Sequence, residues 1–155
     1  MLRDDLGIQG RLILRKYDLA GVLVQEVAAH NDITLTGRHL VSRLFSKDNA
    51  NVAKVTNMAV GKSDKVFDQA DAALGGEIFR TPITSIETSE VLDPGSGRKR
   101  VMLRMYGELP EDKANDVLRE AGLVTDDNVL YNRVTFPAIT KTQQFKLTLV
   151  WEITF

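Results

Sequence analysis

The residues whose types could do chemistry begin with AVGKS at 59–63, which is similar to the end of a phosphate-binding loop. Such a loop needs another glycine five residues before its last one, so that bare backbone N–H groups can wrap the phosphate oxygens. Thr56 stands at that position, and no long helix pattern follows Ser63. The motif therefore predicts an ordinary loop rather than a nucleotide site.

The histidines and acidic residues form no recognisable ligand set. His30 and His39 are predicted on different elements, whereas zinc needs three or four converging ligands. The cluster at 126–128 lacks the alternate acidic positions, the glycine and the distant glutamate of a calcium loop. Glu120 and Asp127 are the carboxylates to test for sugar hydrolysis, although the pattern does not favour it. We predict no catalytic residue, no cofactor and no metal ligand.

The composition fits a single β-rich domain over 1–155, long enough to bury a core. A net charge of -1 gives no field that would hold nucleic acid or an anionic membrane. The chain has no cysteine, which excludes thiol catalysis, disulfides and cysteine zinc sites. No apolar run reaches the ~18 residues of a membrane span, and the N-terminus lacks an apolar signal core. We expect a protein made in the cytoplasm that binds neither nucleic acid nor membrane.

The C-terminal stretch 143–155 alternates apolar and polar residues almost without a break. A period of two predicts a β-strand with one buried face and one wet face. The apolar positions are Phe145, Leu147, Leu149, Trp151, Ile153 and Phe155. Because this face continues to the terminal residue, where most chains fray, we expect the strand to lie inside a sheet or under another chain.

Most of the remaining chain consists of short strands separated by turns. Alternating or β-branched runs predict strands at 8–17, 22–28, 52–60, 83–92, 101–105 and 130–136. The first two of these should form a hairpin, as should the fourth and fifth, which DPGSG at 93–97 connects. Pro137 should end the last of them, because proline cannot donate to a ladder. The segment 117–123 fits either one helical turn or a short strand.

A short helix should begin at Thr36, whose hydroxyl can accept from a free N–H of the first turn. Its apolar face would hold Leu40, Val41, Leu44 and Phe45. Polar residues at 47–51 should end it, and 68–74 could add one or two helical turns. The elements together predict a mainly β fold, a β-sandwich or barrel-like domain with one or two short helices.

Arg98, Lys99 and Arg100 form a basic triplet at the tip of the predicted hairpin 83–106. The simpler interpretation, which we favour, is a charged edge that resists the addition of another strand. The alternative is a contact with an acidic neighbouring chain, which would make the hairpin 83–106 a projecting contact element.

Several segments, taken in order, resemble a class of small structural proteins from tailed bacteriophages. These segments are NDITLTGR at 31–38, MAVG at 58–61, ALGGEIFR at 73–80, EAGL at 120–123, YNRVTFPAITK at 131–141 and LTLVWEIT at 147–154. The resemblance covers roughly 31–155, and the order of the segments is more specific than any one of them. The hairpin 83–106 is an elaboration of this pattern.

The resemblance implies a non-enzymatic structural component of a tailed-phage virion, as a neck or tail collar, connector-associated or fibre-anchoring subunit. Its partners would be other virion proteins and copies of itself in a symmetric assembly. The alternatives are a capsid decoration protein, a receptor- or glycan-binding module and, as an enzyme, a wall hydrolase. The assembly contacts are expected at Arg98, Lys99, Arg100, Phe145, Trp151 and Phe155.

Overall fold

A computed structural model of the protein describes residues 7–46 and 52–155. In these ranges the chain forms one short helix and nine strands. In chain order they are β1 (Gln9–Asp18), β2 (Leu23–Ile33), α1 (Leu35–Leu44), β3 (Val55–Gly61), β4 (Glu77–Pro82), β5 (Ser85–Leu92), β6 (Lys99–Leu109), β7 (Val117–Thr125), β8 (Asn132–Thr140) and β9 (Phe145–Thr154). Within the described ranges, no helix has the length and apolar character that crossing a membrane requires.

The nine strands form one antiparallel sheet in the order β4-β3-β7-β8-β2-β1-β9-β6-β5. The sheet curls into a half-barrel. This curl brings the edge strand β4 close to β6, near the other end of the sheet, where the Thr81 hydroxyl donates to the Glu108 carbonyl at 2.6 Å. A side chain at Gly107 would meet the Met58 sulfur at 2.9 Å, so glycine permits this close approach. The predicted mainly β, barrel-like fold is confirmed.

The C-terminal strand β9 lies inside the sheet, hydrogen-bonded to β1 on one side and to β6 on the other. Leu147, Leu149 and Trp151 are fully buried on the face that fills the half-barrel. The expectation that this strand is enclosed in a sheet is therefore confirmed. Both edges of β9 already carry partners, so no further strand can pair with it.

The core lies in the concave side of the sheet, around Trp151. Leu12 stands opposite Trp151 on one neighbouring strand and Met105 on the other, and both are buried. Fully burying side chains of this size contributes about 1.5–3 kcal/mol each. The indole N–H of Trp151 donates to the Asn31 side-chain oxygen at 2.7 Å, which satisfies its polar atom.

The N-cap of helix α1 lies two residues earlier than the sequence pattern predicts. Thr34 is the N-cap, because its hydroxyl oxygen accepts from the Gly37 N–H at 3.0 Å. The hydroxyl of Thr36, the predicted cap, instead donates to the Leu130 carbonyl at 2.7 Å. Thr34 therefore both caps the helix and, like Thr36, ties it to the Leu130 carbonyl in the chain before β8.

The predicted apolar face of α1 is only partly buried. Leu40 lies in the core and Val41 is half-buried, whereas Leu44 and Phe45 are exposed. Phe45 is the C-cap residue and is 87 % exposed. The residues at 47–51, predicted to end the helix, lie outside the described ranges.

Three further predictions are settled by the sheet. The segment 117–123 is strand and belongs to β7. Pro137 does not end its strand. The register shifts around it, because Leu118 pairs with Ile139 and Glu120 pairs with Thr135. The proline therefore lies in an irregular stretch that needs no N–H donor to the ladder. The helical turns predicted at 68–74 are absent from this described segment, which forms irregular turns.

Candidate contact surface

The hairpin β5–β6 lies at one end of the sheet, where β5 is the last strand and is largely exposed. Its turn is well ordered by its own residues, since the Gly95 N–H and the Ser96 hydroxyl donate to the Asp93 carboxylate at 3.0 and 2.9 Å. These donors hold the pKa of Asp93 below its ordinary value. Gly97 has φ +68°, a left-handed conformation that glycine adopts without strain.

Four exposed apolar side chains lie on the core-facing side of this hairpin and of the strand beside it. Directly opposite residues share a face, and this face can be followed outward from Met105 to its partner Ile86 and along both strands. We call this set the hairpin surface: Ile86 (55 % exposed), Leu92 (66 %), Val101 (44 %) and Phe155 (46 %). The surface is a continuation of the core face beyond the point where the half-barrel covers it.

Arg100 ties the C-terminus to this surface. Its guanidinium donates to the carbonyl oxygens of Gly7 at 2.9 Å and Phe155 at 3.4 Å, and also to that of Thr154 at 3.5 Å. The Phe155 N–H donates to the Val101 carbonyl at 2.8 Å. The terminal aromatic ring is therefore held next to the hairpin, although the strand assignment ends one residue earlier.

The other residues predicted as assembly contacts are placed differently. Lys99 pairs with Glu90 at 3.3 Å, and both side chains are largely exposed, so this pair contributes little to stability. Arg98 is exposed in the turn. Phe145 lies at the opposite end of β9, where the Lys16 ammonium stands 4.0 Å from its ring centre. The side chain of Trp151 is fully buried in the core, which leaves it no surface to offer another chain.

The structure thus brings Arg98, Lys99, Arg100 and Phe155 together at one end of the sheet and separates Phe145 and Trp151 from them. Ile86, Leu92 and Val101 were not among the contact residues predicted from the sequence. Their place in two predicted strands was the available signal, and an apolar residue in a strand indicates a buried face as readily as a contact face.

Glu120, considered above for hydrolysis, has a structural role that the sequence did not indicate. Its carboxylate accepts from the backbone N–H groups of Ser63, Gly75 and Gly76 at 3.2, 3.0 and 2.6 Å. Arg133 donates to the same carboxylate at 2.9 Å, and both side chains are buried. The motif at 59–63, which is similar to the end of a phosphate-binding loop, contributes only the Ser63 N–H to this carboxylate, and Gly75 and Gly76 contribute the other two backbone donors.

The arrangement around Glu120 fastens the loop between β3 and β4 to the sheet. Arg133 also contacts Asp71 of this loop at 3.4 Å. With four donors already on its two oxygens, Glu120 has little capacity left to bind or protonate a substrate. Asp127, the other carboxylate considered for hydrolysis, accepts from the hydroxyl of its neighbour Thr125 in a surface turn.

The convex face of the sheet carries an ion network around Glu152. Arg11 and Arg104 donate to its two oxygens at 2.9 and 3.0 Å. Burial alone would raise the pKa of Glu152, but the hydrogen bonds from Arg104 and Arg11 outweigh burial and hold the pKa below its ordinary value. These groups and Arg15 border a shallow cavity of about 220 Å³, where each of the three arginines is already paired with a glutamate.

The described part of the chain contains no group of three histidine, aspartate or glutamate side chains arranged to hold a metal ion. Comparison of the chain with protein-family models, with curated proteins and with solved structures finds no match.

Proposed function

We propose that the chain is a non-enzymatic structural component of a tailed-phage virion that acts through protein–protein contacts. The observation that carries this proposal is the hairpin surface, where Ile86, Leu92, Val101 and Phe155 stand exposed on one face of the sheet. Exposed apolar side chains that share one face of a folded domain are candidates for an interaction site. In this role the hairpin β5–β6 is the element that meets the neighbouring subunit.

The energetics of the hairpin surface suit a subunit that is held by repeated contacts. Each of these side chains is about half exposed, so a partner that covers it would gain about 1 kcal/mol per side chain. Such a gain is modest for a single contact, but a symmetric assembly repeats it for every copy. Arg100 fixes the terminal Phe155 in place before association, which lowers the conformational entropy lost on binding.

The location within the virion follows from the resemblance alone. The segments from 31 to 154 are similar to neck, tail and fibre-associated proteins, and we therefore place the subunit in a collar, at the connector or at a fibre anchor. A capsid decoration protein is the nearest alternative, and its copies would follow the shell lattice instead of the tail axis. A receptor- or glycan-binding module would require specific binding on a glycan array.

The experiment is incorporation into particles. We expect the wild-type chain, expressed during infection, to sediment with density-gradient-purified virions at a fixed ratio to the major capsid protein. Leu92→Asp should reduce incorporation by about tenfold or more, because a buried unpaired carboxylate opposes association.

Leu19→Asp is the matched control, because Leu19 is equally exposed, at 64 %, in the turn between β1 and β2 and far from the hairpin surface. Wild-type protein that remains entirely in the soluble fraction contradicts the proposed function. Equal incorporation of both variants leaves the virion role in place and removes the hairpin surface as its cause.

A further inference from the structure

Strand β5 is the last strand of the sheet, and in the described part of the chain no strand pairs with its outer edge. Val101 and Phe155 exchange both backbone hydrogen bonds, at 3.3 and 2.8 Å, so residue 101 of β6 faces the β9 side and its neighbour Arg100 forms a hydrogen-bonded pair with Val91 of β5. Such pairs recur at every second residue of an antiparallel ladder. The N–H and C=O groups of Ile86, Thr88, Glu90 and Leu92 therefore point away from β6 and are free to pair with another strand.

The basic triplet does not protect this edge, because Lys99 and Arg100 lie in β6, which is paired on both sides. The free edge of β5 contains no proline or lysine and is a template for strand addition. The pairing of β5 with the same strand of a second copy can be examined register by register. In an antiparallel pair, directly opposite residues lie on the same face of the sheet, and faces alternate along each strand. Two opposite residues of identical strands are therefore an even number of positions apart, so a two-fold axis perpendicular to the sheet passes through a residue.

The charges of β5 discriminate among the central registers. An axis at Glu87 or at Glu90 sets each of these carboxylates against its own copy, which is unfavourable. An axis at Thr88 sets the apolar Ile86 against Glu90. An axis at Ser89 sets Ile86 against Leu92, twice by symmetry, and opposes no like charges.

The Ser89 register also completes the hairpin surface. Ile86 and Leu92 are exposed in the single chain and would cover each other across the new pair. All four residues with free backbone groups find partners, because Thr88 then faces Glu90 and Ile86 faces Leu92 in both directions. The apolar row from Trp151 through Met105 to Ile86 would continue into the second copy.

We infer that two copies of this chain associate through an antiparallel β5–β5 pair centred on Ser89, forming one continuous sheet. The occupant of the free edge is thus a second copy of the same strand. This inference goes beyond the proposed function and does not depend on it, because the pairing would form in purified protein with no virion present.

Cysteine cross-linking tests the register directly, since the natural chain has no cysteine. In the Ser89 register, the two copies of residue 89 form a non-hydrogen-bonded pair with Cα atoms about 4.5 Å apart, within the range that a disulfide spans. We expect Ser89→Cys to form a covalent dimer under mild oxidation about tenfold faster than the control variants.

Two variants serve as controls in the same strand. Glu87→Cys is equally exposed on the same face, but its copies would stand four residues apart, at roughly 13 Å. Thr88→Cys would place its copies on a diagonal at about 7–8 Å, beyond disulfide reach. Faster cross-linking of Thr88→Cys overturns the Ser89 register, and equal rates for all three variants overturn the pairing itself.

Sedimentation equilibrium provides a second readout that needs no cysteine. The N–H of Thr88 points away from β6, so Thr88→Pro removes a donor from the free edge and none from the internal ladder. We expect wild-type protein to form dimers and Thr88→Pro to be monomeric with the same far-ultraviolet circular dichroism. Wild-type protein that stays monomeric at a concentration on the order of 100 µM contradicts the inference. A Thr88→Pro variant that still forms dimers contradicts it as well.

Discussion

Replacing Glu120 by alanine should destabilise this protein more than almost any other single loss of charge. The substitution removes a carboxylate that accepts from Arg133 and from three backbone N–H groups, those of Ser63, Gly75 and Gly76. Arg133 is 1 % exposed and retains only Asp71, at 3.4 Å, as a charged partner. One of its terminal nitrogens already has no hydrogen-bond partner within the described residues.

The magnitude follows from what the variant leaves behind. A buried ion pair that loses one member costs about 3–5 kcal/mol, because the other charge stays buried. Each buried N–H left without an acceptor would cost about 1–3 kcal/mol, although water entering the vacated space should recover part of this. We expect Glu120→Ala to lose about 3–5 kcal/mol, a large share of the ~5–15 kcal/mol typical of a domain.

The assay is thermal and urea unfolding followed by tryptophan fluorescence, since Trp151 is the only tryptophan. A loss of this size should lower the Tm by about 6–20 °C. Glu77→Ala is the matched control, because it breaks a glutamate–arginine pair of 2.8 Å with Arg80 at the surface, for which we expect at most about 1 kcal/mol. If the two variants lose equal stability, the loop is not fastened by Glu120 as described.

The remaining predictions concern the sheet and its helix. The lowered pKa of Glu152 contributes stability that is complete above the ordinary glutamate value of 4.5 and is lost as the pH falls through its folded-state pKa, so Glu152→Gln should flatten the acid limb of a stability–pH profile. Gly37→Ala should cost about 2 kcal/mol or more in urea unfolding, because the new Cβ would collide with the Tyr131 carbonyl. Asn31→Leu should cost about 1–3 kcal/mol by leaving the buried Trp151 N–H without an acceptor, measured by the same unfolding curves.

Features encoded by local pattern could be predicted from the sequence. The alternation over 143–155 predicts β9 and its buried face, and DPGSG at 93–97 predicts the turn of the β5–β6 hairpin. Both depend on residues close together in the chain. The strand β4, with only six residues and no regular alternation, gave no such signal and was missed.

Features that depend on distant partners could not be predicted. Thr34 and Thr36 are equally good cap residues locally, and the choice is made by carbonyl groups almost a hundred residues away, at Leu130 and Tyr131. Pro137 remains within its strand because the opposite strand has an irregularity there. The role of Glu120 likewise depends on loop N–H groups brought to it by the fold.

The hairpin surface also could not be predicted from local pattern. An alternating pattern identifies which residues share a face, but it does not tell how far the rest of the fold covers that face. Ile86 and Leu12 belong to one row across the sheet, yet Leu12 is buried and Ile86 is half exposed. Only the curl of the sheet decides where the core ends and the hairpin surface begins.

The central claim is that this protein functions by binding a neighbouring subunit through its hairpin surface. The most direct measurement is a cryo-EM map of the intact particle that carries the chain. We predict density for the half-barrel at the neck or tail, with Ile86, Leu92, Val101 and Phe155 covered by a neighbouring subunit. A map in which these four side chains face solvent, or in which the particle contains no density for the chain, would contradict the account.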